Sequence, residues 1–164
     1  MYLKLMPTHQ KVSWKSIALQ QNIHPRHKFI LWLAIWRRLA TIERLQKFGI
    51  HVPPNCAFCG TTFESFEHFY FECRVTRALW HRLLVWLGTN RTIGSWQNIG
   101  KGTIISCVFA MLVYLLWRER NVIRFQSNLY QSDRLCKEIA LHIHMRGRDL
   151  SKWKNTLQTL DRLP

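Results

Sequence analysis

The sequence predicts a mostly α-helical fold, on three observations. Apolar residues recur at helical spacing through Val75, Leu79, Leu83 and Trp86, and again at Leu135, Ile139 and Ile143. Glycines stand where two helical stretches should stop, at Gly49 and Gly88. Little of the chain reads as strand, and a short hairpin near Cys56 and Cys59 is the most that fits.

The elements follow in order. The segment His27 to Arg38, HKFILWLAIWRR, is apolar on every side until its arginines, so its period fits helix and strand alike. Thr41 can cap a short helix running through Ile42 to Phe48. Glu43 then sits in the first turn against the helix dipole, and Gly49 takes the C′ position. Two helices joined at Leu39–Thr41 would be compact. Pro53-Pro54-Asn55 stops regular structure and delivers the chain to Cys56. Phe63 to Cys73 is rich in Phe and Glu and carries His68. Val75 to Leu87 reads as a helix whose apolar face is widened by Ala78 and Leu87. Residues 89–102 hold three glycines among Ser, Thr and Asn and read as a linker. Helix resumes from about Thr103 to Phe125. Its apolar run, Ile104 to Trp117, spans fourteen residues, short of the roughly 20 that cross a bilayer. Lys101 and Arg118-Glu119-Arg120 bound it, so it reads as a buried core helix and no membrane is expected. Ser132 and Asp133 can open a last major helix. After Gly147 the tail is weakly patterned.

Composition narrows the class of partner. Twenty-four Lys and Arg face nine Asp and Glu, a formal charge of +15, while hydrophobic residues make up 48% of the chain. A disordered basic tail would lack that apolar content. Residues 1–50 carry nine basic side chains and one acidic, residues 51–88 three of each, and residues 89–164 twelve against five. Two basic flanks thus enclose a neutral middle, and such an excess suits a polyanion, RNA or DNA. Solvated helix faces would produce the same counts. The start of the chain has no apolar run fit for a secretory signal, although its lack of acids before Glu43 is a bias shared with organelle transit peptides. The expected location is intracellular, nucleus or cytoplasm, with organelle import as an alternative.

The sharpest feature lies in the neutral middle. Cys56, Cys59, His68 and Cys73 are spaced C-x2-C-x8-H-x4-C. Two cysteines two residues apart form a turn whose thiolates converge on one ion, and Gly60 lets the backbone bend beneath them. Three thiolates and one imidazole fill all four positions of a Zn²⁺ ion and leave no site for water, so one structural, non-catalytic zinc is expected. A redox pair would sit at a helix start within a βαβ pattern, which is absent here. His51 and His81 lie near enough to be substitute ligands. Cys107 and Cys136 read as buried, inert thiols, and His142 and His144 as surface residues. Phe58, Phe63, Phe66, Phe69, Tyr70 and Phe71 crowd the ligands. They are expected to pack around them, with base stacking open to one or two. The fold expected overall is a small helical domain organised around a CCHC zinc knuckle, with additional C-terminal helices.

These residues resemble a known family. W-x-x-I at Trp14, then Pro25, Lys28, Phe29, Trp32, Leu39, Thr41, Arg44 and Leu45, then Cys56, Cys59, Glu64, His68, Cys73 and Trp80, are similar to the zinc-binding region that follows the polymerase in plant LINE-type (non-LTR) retrotransposon reverse transcriptases. Leu116-Trp117-Arg118-Glu119-Arg120-Asn121 resembles the W-x-E-R-N segment that trails it. The likeness runs from Trp14 to about Phe125. Ala40 stands where the family usually has Pro. No adjacent aspartates occur anywhere and the nine acidic residues are scattered, so two-metal polymerase chemistry has no paired carboxylates to work with, and no enzyme is expected. The resemblance implies a zinc-binding domain over 14–88, a linker over 89–102 and a helical extension over 103–164. It further implies a detached piece of a retroelement protein that handles RNA or DNA. Arg37, Arg38, Arg44, Lys47, Arg74 and Arg77 are the expected phosphate contacts. The alternatives are a protein-interaction or self-associating scaffold built on the aromatic and apolar helices, and a remnant without function.

Overall fold

The structure is a computed structural model, and it describes residues 21–89, 103–126, 131–150 and 153–160. Trp14, the lysines before it and most of the expected linker lie outside the described residues. Those residues are mostly helical, as expected, and carry no strand longer than a single bridge.

The ambiguous apolar segment is a helix, α1 (Pro25–Ile35). Pro25 presets φ at its first position, and His24 Nδ1 accepts the Arg26 N–H at 3.2 Å, so the helix start is capped. His27, Leu31 and Ala34 form its buried stripe. Burial, with His24, His142 and Arg146 nearby, pushes the His27 pKa down to about 4. It sits in the core as a neutral ring 4.7 Å from that of Tyr114.

Helix α2 (Ile42–Lys47) follows. Thr41 stands at its N-cap but makes no side-chain cap bond, contrary to the sequence reading; its side chain is buried instead. Gly49 at φ 73° closes α2 as expected, with Ile50 N–H on Leu45 C=O and Gly49 N–H on Gln46 C=O. Gly88 ends α3 (Arg74–Trp86) by the same pair of bonds. The buried face of α3 is Thr76, Leu79, Trp80, Leu83, Leu84 and Trp86. It is rotated from the expected face: Val75 is half-buried and Ala78 exposed, because Trp80 turns inward to stack on Phe109 at 4.9 Å.

Helix α4 (Thr103–Gln126) is the centre of the fold. Cys107 to Val113, Leu115 and Leu116 are all buried, so its apolar run is covered by protein. No helix among the described residues is long and apolar enough to cross a membrane. Helix α5 (Ser132–Arg148) buries Leu135, Ile139 and Ile143, with Cys136 and Ala140. His142 is exposed, whereas His144 is half-buried with its ring edge-on to Trp86 at 6.1 Å. The weakly patterned tail forms a short helix, α6 (Lys154–Thr159), with Leu157 packed over Gly147. Residues of α1, α3, α4 and α5 share one apolar core.

Candidate metal centre

The zinc-ligand segment lies between α2 and α3 and is built from short-range devices. The expected hairpin is reduced to one antiparallel bridge, Asn55 to Phe63, with Cys56 N–H on Thr62 C=O at 2.7 Å. Gly60, at φ 70°, lets its own N–H turn back to Cys56 C=O at 2.9 Å. That closes the turn carrying Cys56 and Cys59. Ser65 then starts a new helical turn, its Oγ accepting the His68 N–H at 3.0 Å.

Between the last two ligands the backbone is π-helical, His68–Glu72. On an α-helix, residues five apart point about 140° away from each other, at 3.6 residues per turn. The wider turn is closed by the Cys73 N–H on His68 C=O at 2.8 Å. It brings the imidazole and the thiol to one side. Here the π turn is what accommodates the H-x4-C spacing. Cys73 also serves as the N-cap residue of α3.

The four ligand atoms lie within 4.8 Å of one another. Tetrahedral zinc with usual bond lengths places two sulfurs about 3.8 Å apart and a sulfur and a nitrogen about 3.6 Å apart. Cys56 Sγ and Cys73 Sγ are 3.9 Å apart, and Cys59 Sγ and His68 Nε2 3.4 Å apart. The cluster therefore fits one structural Zn²⁺. Backbone N–H groups also point at the sulfurs: those of Phe58 and Cys59 at Cys56, those of Thr61 and Thr62 at Cys59, and those of Val75 and Thr76 at Cys73. The Cys56 thiol donates to Cys73, which together with burial pushes Cys56 up. The same bond, with the amides at the start of α3, brings Cys73 down. At Cys59 desolvation pushes upward but is outweighed by the Thr61 and Thr62 donors and by His68, giving about 6. The amides and the His68 ring favour negative charge on the Cys59 and Cys73 sulfurs, the charge that a cation requires of its ligands.

His51 and His81 are exposed and lie outside this cluster, and Cys107 and Cys136 are buried elsewhere, as expected. Phe66, Phe69, Tyr70 and Phe71 are buried beside the ligands, and Phe58 stacks on Phe69 at 5.5 Å. Of that aromatic group Phe63 is the exposed member.

One interaction gave no local signal in the sequence, although the family resemblance includes Glu64 and Arg120 as separate positions. Glu64, 0% exposed, accepts from Arg120 Nη2 at 2.7 Å and from Arg124 Nη2 at 2.8 Å, both on α4. Its second oxygen also takes the Ala57 N–H, at 3.3 Å, inside the Cys56–Cys59 turn. Trp117 sets its ring edge-on to Phe69 at 6.4 Å. The metal turn is therefore anchored to the central helix through one carboxylate. A pairing across fifty-six residues has no periodicity to reveal it.

The expected phosphate contacts divide. Arg37 is ion-paired with Glu67 and lies over Phe66, and Lys47 pairs with Glu43. Arg38, Arg44, Arg74 and Arg77 have no carboxylate partner among the described residues.

The fold and site define a helical zinc-binding domain. Residues 1–80 match the model of a family described as zinc-binding in reverse transcriptase, and all four ligands fall inside the matched stretch. The match supports a reverse-transcriptase zinc-binding domain there, and its subject is the zinc-binding region, not the polymerase. Among curated proteins and solved structures, none matches the chain significantly.

Proposed function

We propose that the chain is a non-catalytic module, folded by one zinc ion, that binds RNA or DNA through its basic helical flanks, and that it derives from a plant LINE-type retroelement. Cys56, Cys59, His68 and Cys73 hold the ion, and four protein ligands leave it no position for water or substrate. Residues 14–88 form the zinc-binding part, with 103–164 as a helical extension laid against it across the 89–102 linker. A reducing compartment, nucleus or cytoplasm, suits a thiolate site.

The observation that carries this reading is the junction of site and helix. Cys73 is both a metal ligand and the residue that starts α3, and Arg74 and Arg77 follow on that helix, exposed and without a carboxylate partner among the described residues. The ion thereby fixes the direction of two cations in a chain of charge +15. Such cations contact phosphates and contribute affinity that falls with salt. The test is a salt series of RNA and DNA binding by zinc-loaded protein. Replacing Arg74 and Arg77 together by Ala should weaken binding across all sequences and reduce the salt slope by about 2. Absence of binding at low salt, with zinc present, would refute the proposal.

A further inference from the structure

Helix α1 carries its large aromatics on the wrong side for a core. At 3.6 residues per turn, Phe29 and Trp32 lie opposite the buried stripe of His27, Leu31 and Ala34, and they are 59% and 40% exposed. A helix apolar on all sides is normally buried on all sides; here the outer side is left to solvent. The two rings are near-parallel, with centroids 6.5 Å apart and planes 20° apart. Arginines attend the aromatics. The Arg38 guanidinium lies 5.9 Å from the Trp32 ring centre, and that of Arg44 5.2 Å from Phe48, which is 67% exposed. Arg44 Nη1 donates to Arg37 C=O at 3.2 Å, which brings the Arg44–Phe48 pair to the end of α1. Glu43, the one acid of residues 1–50, is turned away, bonded to Lys47 and to the Phe66 N–H.

Resting on the nucleic-acid reading above, we propose that Phe29, Trp32 and Phe48, with Arg38 and Arg44, form a stacking platform for an unpaired strand of RNA or DNA. Charge selects a polyanion, since no carboxylate among the described residues pairs with either arginine. The exposed rings select a polyanion with free π-faces. A duplex stacks its bases on one another and offers none, whereas each base of a single strand can lie on a ring while the guanidiniums take the phosphates.

The experiment uses the full-length, zinc-loaded protein with fluorescent single strands of oligo-U and oligo-dT and a duplex of equal length. Trp32→Ala should weaken both single strands on the order of tenfold and leave duplex affinity unchanged. Trp32→Tyr should retain most of the affinity. Trp32 and Phe29 are exposed, so zinc content and melting temperature of variants at either should match the parent. Unequal losses on oligo-U and oligo-dT would support the platform and identify the preferred strand. If single strand and duplex both bind but neither Trp32→Ala nor Phe29→Ala distinguishes them, the platform is overturned and the nucleic-acid reading stands. If no nucleic acid binds at low salt, both fall. If Trp32→Ala converts a dimer to a monomer in sedimentation and leaves strand binding unchanged, the surface belongs to a second copy of the chain, and the platform is overturned.

Discussion

The segment Pro53–Cys73 and the bundle of α1, α4 and α5 are held by different forces. In the bundle, Leu31, Phe109, Leu112, Leu116, Ile139 and Ala140 are fully buried, and their contacts are apolar and non-directional. In the segment, the decisive contacts are three sulfurs, one imidazole, one carboxylate and the amides that serve them. Apolar packing degrades gradually when a side chain changes. A closed metal site and a buried ion pair fail sharply, because losing one member strands the others. The same molecule should thus have one brittle region and one tolerant region.

The largest effect should come from the metal. Chelation, or Cys73→Ser, should remove zinc and unfold the segment, at a cost on the order of 10 kcal/mol by comparison with small zinc modules. The far-UV helical signal should fall only in part, since the helical bundle persists. Cys136→Ser, in the tolerant region, should keep one zinc per chain. Metal analysis with a thermal melt checks both. A Cys73→Ser protein that retains zinc, or a melt indifferent to chelation, would contradict the contrast.

Next comes Glu64. Its removal leaves Arg120, 2% exposed, without a counter-charge. Glu64→Ala should cost about 3–5 kcal/mol in denaturant unfolding, as broken buried pairs do. Adding Arg120→Met should recover part of that loss, because an apolar pair can replace a buried ionic one. If the double variant is no better than the single one, the cost lies in the carboxylate's bonds to the Ala57 N–H and to Arg124 and not in the stranded Arg120 guanidinium.

Both regions were partly legible in the sequence, for different reasons. Gly49 and Gly88 mark helix ends because the αL conformation they supply is local. The ligand spacing marks the metal because the knuckle is local too. The fold class and the four-residue cluster followed from these signals. Three features did not. The π turn after Ser65 arises where His68 and Cys73 must face one ion, which helical periodicity does not encode. The rotation of α3 depends on Trp80 meeting Phe109. The Glu64–Arg120–Arg124 network joins positions whose neighbours show only that one acid and two bases exist. What was missed is tertiary, and it is what ties the metal turn to α4.

The smallest effect concerns the end of α1, where the two regions touch. Arg37 has φ 52°, the left-handed conformation that a C′ residue adopts and that glycine fills without strain. The flanking bonds, Arg37 N–H to Ala34 C=O and Arg38 N–H to Leu33 C=O, match those at Gly49 and Gly88. An arginine there costs about 1 kcal/mol of backbone strain. What it contributes is a link to the brittle side: its guanidinium pairs with Glu67 and covers Phe66. That pair is well exposed, so its worth is at most about 1 kcal/mol. The two terms nearly cancel, and Arg37→Gly should leave stability within about 1 kcal/mol of the parent. Arg37→Ala loses the pair and keeps the strain, so it should be the less stable of the two by roughly 1 kcal/mol. Denaturant midpoints of the three proteins measure this directly. An alanine variant as stable as the glycine variant would mean that the left-handed turn is not strained. The arginine would then be held at this position by its side-chain contacts alone.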